Sequence, residues 1–297
     1  MMKDYALKSY AYNKQVRIYV ASSTHLVEEA RRIHHTWPTA SAAFGRVLTV
    51  SAMMGMMYKE EETLTIRVKG DGPIGSILVE ANAKGEVRGE IVNPNVYIVY
   101  DEGPKKGKLN VGAAVGQGFI HITKDLKMRD YFTSSSEIQT GEIGDDFTYY
   151  FAMSEQTPSS VGVGVLVNPD QTIRAAGGYI LQLMPDVGED VIQQIESLIP
   201  TLPPMSTLID QGKTPEDILH ILANGTEQIL EKKDITYLCH CSKEGFAKSL
   251  STLDDQSLHD IIHEDGQAEI ECHFCHTKYH FSKDELSHIL ENKNNKS

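Results

Sequence analysis

The spacing of apolar positions changes along the chain. Up to about residue 180, short β-rich runs alternate with turn signals, as in Thr63 to Val68 (Thr-Leu-Thr-Ile-Arg-Val) and the Asp71-Gly72 and Asn93-Pro94 breaks. This half is predicted to be sheet-dominated. The exception is Thr39 to about Met57, a largely apolar run rich in Ala, Met and Leu, which reads as a helix buried against that sheet. After Pro185 the period becomes helical, with Val191, Ile192, Ile195, Leu198 and Ile199 on one face before Pro200 and Pro203-Pro204 end it. Thr214-Pro215-Glu216-Asp217 then supplies a cap, a proline at the first helical position and early acids ahead of Ile218, Leu219, Ile221 and Leu222, with Gly225 as a stop.

From about residue 233 the pattern is that of a small module. Asp254 to His263 reads as a helix, Asp265-Gly266 as a turn, Ala268 to Cys272 as a strand and Thr277 to Phe281 as a returning strand. Ser282 and Glu285 form a capping box ahead of Leu286, Ile289 and Leu290, so a last helix is predicted, with the tail from Glu291 to Ser297 frayed. The expected class is α+β. Three parts are expected: a sheet-rich N-terminal domain with packed helices over 1–184, a short-helix linker over 185–235 and a C-terminal module over 236–297.

Charge sharpens this division. The formal net charge is −13, which disfavours nucleic acid as a general partner. Residues 185–235 carry ten Asp or Glu against three Lys, a formal −7, about half of the total. Short, proline-broken helices in a self-repelling segment need tertiary support to persist, so this linker is expected to be soft. No apolar run of signal-peptide length opens the chain and no stretch of 18 uncharged apolar residues occurs. A cytoplasmic protein with no membrane partner is the expectation.

In a reducing compartment, cysteines are metal ligands or redox groups more often than structural disulfides. All four cysteines of the chain fall in two close pairs, Cys239-His-Cys241 and Cys272-His-Phe-Cys275, separated by thirty residues. Two thiolate pairs brought together by a fold offer zinc four soft tetrahedral ligands with no open position. Cys239, Cys241, Cys272 and Cys275 are therefore the candidate Zn²⁺ ligands. A sphere of three cysteines and one of His240, His273, His276 or His280 is an alternative. From this pattern alone a purely structural zinc clamp is the plainest function. Bound thiolates are also oxidisable, and zinc contributes about 10–16 kcal/mol to small zinc modules, as much as the ~5–15 kcal/mol that holds a whole domain. Oxidation would eject the metal and unfold the module together.

These residues resemble the redox-regulated 33-kDa heat-shock chaperones of the bacterial cytosol. The paired Cys-x-Cys and Cys-x-x-Cys match that family's zinc motif. The likeness continues through Pro38 to Arg46 (Pro-Thr-Ala-Ser-Ala-Ala-Phe-Gly-Arg), Lys69 to Gly75, Ser154 to Ser159 and Gly177 to Pro185. The resemblance implies an ATP-independent holdase, not an enzyme, with no nucleotide site. It would be inactive when reduced and zinc-bound, and activated when oxidation releases zinc and forms two disulfides, Cys239 with Cys241 and Cys272 with Cys275. It further implies that the linker unfolds on activation, that unfolding client proteins are the partners, and that the oxidised form is a homodimer made through the N-terminal domain.

Other signals are weaker. Gly212-Lys213-Thr214 resembles the end of a phosphate-binding loop, but Thr207 stands where the loop needs its first glycine. Gly112, Gly116 and Gly118 lack dinucleotide spacing and read as tight backbone packing. Met53, Met54, Met56 and Met57 are expected to pack in the core, an adaptable client surface being the alternative. Rival functions are a thiol-disulfide oxidoreductase built on Cys272-x-x-Cys275 and a zinc-ribbon nucleic-acid binder; the charge disfavours the second.

Overall fold

Two antiparallel sheets with a buried helix between them organise the first part of the chain. The computed structural model describes residues 3–59 and 61–294. It divides into two compact units, 1–238 and 239–297.

The first sheet has the order β10-β1-β2-β9-β8, from β1 (Tyr5–Ala11), β2 (Val16–Ser22), β8 (Ser159–Val167), β9 (Ile173–Leu183) and β10 (Gln228–Asp234). The second has the order β11-β5-β4-β3-β6-β7. Its strands are β3 (Thr63–Gly70), β4 (Ser76–Asn82), β5 (Glu86–Ile91), β6 (Gly118–Asp125), β7 (Phe132–Glu137) and the short parallel β11 (Thr236–Tyr237). Strands β3 to β5 alternate buried and accessible positions, as a sheet covered on one face must. In β9 every residue from Ala175 to Gln182 is buried, because both of its faces are covered.

Helix α2 (Pro38–Gly55) lies between the sheets, against β8 and β9 on one side and β4 and β5 on the other. A helix apolar all round is stable only when enclosed in this way. Met53, Met54 and Met56 are at most 2% exposed, so the methionine run packs in the core. Helix α1 (Thr24–His34) runs beside α2 in the same layer. The helices α3 (Val111–Val115) and α4 (Gly144–Ser154) pack on α2 and on β7 and β8 respectively. The glycines expected to mark tight packing do so: at Gly116, φ is 76° and a Cβ would lie 2.2 Å from Asp71 Oδ1, and at Gly118 one would lie 2.0 Å from the Lys69 carbonyl oxygen.

Helices α5 (Glu189–Leu198), α6 (Met205–Asp210) and α7 (Pro215–Leu222), with a 3₁₀ turn at Ile199–Thr201, supply the other cover of the first sheet. They bury Val191, Ile195, Met205, Leu208, Ile218, Leu219 and Leu222 in one cluster with Leu7, Ile18, Val20 and Tyr179 of the sheet. Thr214 caps α7 as its sequence predicts, its hydroxyl accepting from the Asp217 amide at 3.2 Å. No strand leads into Gly212-Lys213-Thr214, which joins α6 to α7. One element differs from the expectation of a wholly helical segment. Residues 228–234 form strand β10, paired antiparallel with β1, and exposed on both faces except at Glu231 and Lys233.

The second unit holds α8 (Lys243–Leu250), α9 (Asp255–Asp260) continued by a π-helical turn at Ile261–Asp265, the hairpin β12 (Gln267–Glu271) and β13 (Lys278–Ser282), and α10 (Lys283–Asn294). Its apolar centre is small: Leu250, Leu258, Ile262, Phe281 and Leu286. The capping box at Ser282 is present, with Glu285 accepting from the Ser282 amide at 2.9 Å. Of the tail predicted to fray, residues through Asn294 lie in α10 and the last three lie outside the described residues.

Candidate metal centre

The hairpin and the segment before α8 carry the two cysteine pairs. Cys272 leaves β12 and Cys275 sits in the turn to β13. The turn is fixed by the Cys272 amide donating to the Thr277 carbonyl at 3.0 Å and the His276 amide donating to the Cys272 carbonyl at 2.8 Å. Cys239 and Cys241 lie in extended chain just before Ser242, whose side chain caps α8 by accepting from the Gly245 amide at 3.1 Å.

The four sulfurs lie within 4.8 Å of one another. Two contacts cross between the pairs, Cys239 Sγ to Cys272 Sγ at 3.7 Å and Cys241 Sγ to Cys275 Sγ at 3.3 Å. A disulfide would need about 2.05 Å, and none of the four cysteines is in a disulfide. Four sulfurs around zinc at about 2.3 Å would stand about 3.8 Å apart, so the donor set fits a tetrahedral thiolate site. Among the described residues no histidine joins the group. His276 faces Glu271, and His280 Nδ1 lies 3.3 Å from Glu269.

The protein alone ionises these thiols unevenly. Burial pushes Cys272, 4% exposed, up to about 12, and burial also raises Cys241. At Cys275 burial opposes ionisation, but hydrogen bonds from the Thr277 hydroxyl and amide outweigh it and bring the thiol down to about 7. Four thiolates at neutral pH therefore need a cation among them, and metal binding displaces such protons.

Two neighbours escaped the sequence reading. The Tyr279 hydroxyl lies 3.0 Å from the Cys241 carbonyl and 3.2 Å from its sulfur, and Thr277 touches Cys275 at 3.3 Å. Their only signal in the sequence is their place in the returning strand two and four residues after Cys275. The Cys272–Cys275 turn joins two antiparallel strands and opens no helix, so it lacks the strand-to-helix setting of a thioredoxin-type dithiol.

A sequence model described as Hsp33 protein matches residues 4–282. A protein from Acholeplasma laidlawii named 33 kDa chaperonin is 53% identical over 292 residues, spanning 98% of this chain and 100% of its own. One of the same name from Geobacillus kaustophilus is also 53% identical, over 98% of both chains. The crystal structure of the Thermotoga maritima 33 kDa chaperonin, a heat shock protein 33 homolog, superimposes with a TM-score of 0.90 at 32% identity, covering 99% of this chain and 100% of that one.

Proposed function

This chain belongs to the Hsp33 protein family, and on that premise we propose that it is a molecular chaperone of the stress response, an ATP-independent holdase switched on by oxidation of Cys239, Cys241, Cys272 and Cys275. The observation that carries the reading is the gathering of the chain's only four thiols within 4.8 Å, in a unit of 59 residues (239 through 297) with only five buried apolar side chains at its centre. A unit this small is marginal on its own core. Zn²⁺ bound there supplies the charge that holds four thiolates together.

In each pair, two thiolates give one electron apiece to a peroxide. The peroxide takes up two protons and leaves as two waters while the S–S bond forms. A disulfide sulfur carries no thiolate charge, so the donor set is lost and the unit opens. The resting contacts between pairs then separate. Pairing of Cys239 with Cys241 and of Cys272 with Cys275 is what the family resemblance implies.

Opening reaches the linker through the chain itself. Cys239 follows Leu238, whose amide donates to the Val87 carbonyl at 2.9 Å, and Ile235 and Tyr237 are buried just before it. Loosening that end frees β11, β10 and then α5 to α7. These helices are too short to persist alone. Their release bares seven large apolar side chains, each worth about 1.5–3 kcal/mol of burial. We assign client capture to that surface, dimerisation of the oxidised form to residues 1–184, release to 185–235 and the switch to 236–297. The cysteines are oxidised stoichiometrically and nothing turns over. Nucleotide, nucleic acid and membrane have no part, and the setting is the cytoplasm.

The test is light scattering from a heat-denatured client. Oxidised protein is expected to suppress aggregation without nucleotide. Suppression only with ATP, or equal suppression by reduced protein, would refute the reading.

A further inference from the structure

A cavity in the first unit plays no part in the switch. It measures about 940 Å³, within the ~300–1,000 Å³ range of small-molecule sites. It lies between the start of α2, the loop over 97–109, the end of β8 and the start of α6. From its lining we propose that it binds a small planar aromatic anion: a fused or single ring bearing a carboxylate, sulfonate or phosphate.

Two features converge there. Trp37, Tyr97 and Tyr100 all line the cavity, and Trp37 and Tyr97 are 47% and 60% exposed. Exposed aromatic rings gathered at a cavity offer faces and edges for another ring to stack on. The charge of the lining runs against that of the chain. Arg46, Lys105 and Lys108 meet one carboxylate, Glu142, leaving a formal +2 (three minus one) in a chain of −13. That carboxylate is already engaged. It accepts from Arg46 Nη1 at 2.6 Å and from the Tyr100 hydroxyl at 2.8 Å. Lys105 Nζ also lies 3.9 Å from Glu142, and Lys108 is exposed on the lining. Three cations against one engaged carboxylate select an oxyanion, and the three rings select an aromatic body to carry it.

The site also has a regulatory consequence. Pro204, Ser206 and Thr207 line the same cavity as Trp37 and Arg46, so an occupant touches both the sheet-and-helix core and the start of α6. A ligand that binds only while α6 is seated favours the seated state by 1 + [L]/Kd, about tenfold at ten times Kd. If the linker releases as proposed above, such a ligand raises the threshold for activation. Only this consequence rests on that reading; the site does not.

The probe is 1-naphthoate, with acetate as the anion alone and 1-naphthalenemethanol as the ring alone. Calorimetry on the reduced protein, and the fluorescence of Trp37, the sole tryptophan, should show saturable 1:1 binding with a Kd of about 1 mM or tighter. Each control should bind about tenfold more weakly or not at all. The exposed-site variants Tyr97→Ala and Lys108→Gln should each weaken naphthoate binding about tenfold with an unchanged melting temperature. No saturation up to about 10 mM, or undiminished binding by both variants, overturns the site. Saturating naphthoate should also slow amide exchange at Ser206 and Thr207 about tenfold relative to β3. Unchanged exchange there with binding intact overturns the coupling, while the switch itself stands or falls on the scattering assay.

Discussion

Ile218→Asp asks whether linker docking holds the chaperone off. Ile218 is 2% exposed on the face of α7 that packs against β1 and β2, beside Leu219 and Leu222, each fully buried. Removing the side chain forfeits about 1.5–3 kcal/mol of burial. Placing a carboxylate there costs about 2–3 kcal/mol more, whether as desolvation or as forced protonation. The total is about 4–6 kcal/mol. Polar contacts that hold α7 include the Tyr12 hydroxyl donating to the Leu222 carbonyl at 3.1 Å, the Tyr5 hydroxyl on Glu216 at 2.5 Å and Lys232 on Glu216 at 2.9 Å. Each contributes about 0.5–1.5 kcal/mol, and all were already present in the parent, so they offset none of the loss. A shift of about 4 kcal/mol changes the docked-to-released ratio by about a thousandfold. In reduced protein, amide exchange across 189–222 should speed up by that order while β3 stays protected. Aggregation of a client should be suppressed without oxidant. Ile218→Val, costing under about 1.5 kcal/mol, should behave as the parent. If Ile218→Asp is as protected and as inactive as the parent, docking of α7 is not what restrains activity. Loss of protection in β3 as well would mean that the helices and the core are one cooperative unit.

Three further outcomes follow from named contacts. Thr214→Ala removes the capping box of α7 and costs about 1 kcal/mol, so α7 amides should exchange about fivefold faster with no change in zinc content. Acid should loosen the same helix. The Glu216, Asp217 and Glu227 carboxyls are all held below their ordinary values; at Glu216 burial opposes this, but hydrogen bonds from Tyr5 and Lys232 outweigh it. A lowered carboxyl stabilises the fold fully above its unfolded value, 4.5 for a glutamate, and loses that contribution as pH falls through the folded value. Exchange of α7 should therefore accelerate below about pH 4.5, and Glu216→Gln should shrink the acceleration; equal pH profiles would contradict the assignment. Replacing Cys239 and Cys241 together by Ser should abolish stoichiometric zinc binding, and a full complement of retained zinc, read by metal analysis, would exclude the four-thiolate set.

Elements whose local chemistry agrees with their tertiary role could be read from the sequence. The largely apolar run at Thr39 to Met57 reads as an enclosed helix, and Thr214-Pro215-Glu216-Asp217 caps α7 whatever surrounds it. The cysteine pairs needed only a fold that brings them together, and the β12–β13 hairpin with the extended segment before α8 does so. Strand β10 was illegible because its order comes from β1. Gln228 to Asp234 has no alternating apolar face, with Ile229 and Leu230 about half exposed, and the formal −7 of the whole 185–235 segment pointed to a loose stretch. Helix α8 was missed for a similar reason, since of its eight residues only Leu250 is buried. The division of the strands between two sheets, with α2 sandwiched, depends on pairings as distant as β2 with β9 and β1 with β10, which no local window contains. Tyr279 and Thr277 could not be read as neighbours of the sulfurs until the turn at His276, with φ of 56°, was known.

Peroxide titration of one sample, read for free thiols, released zinc and suppression of client aggregation, decides whether the four thiols are the switch. Four thiols should disappear per zinc released, and suppression should rise with that release at an unfolding temperature. Full suppression while zinc and all four thiols remain in place would show that they are not.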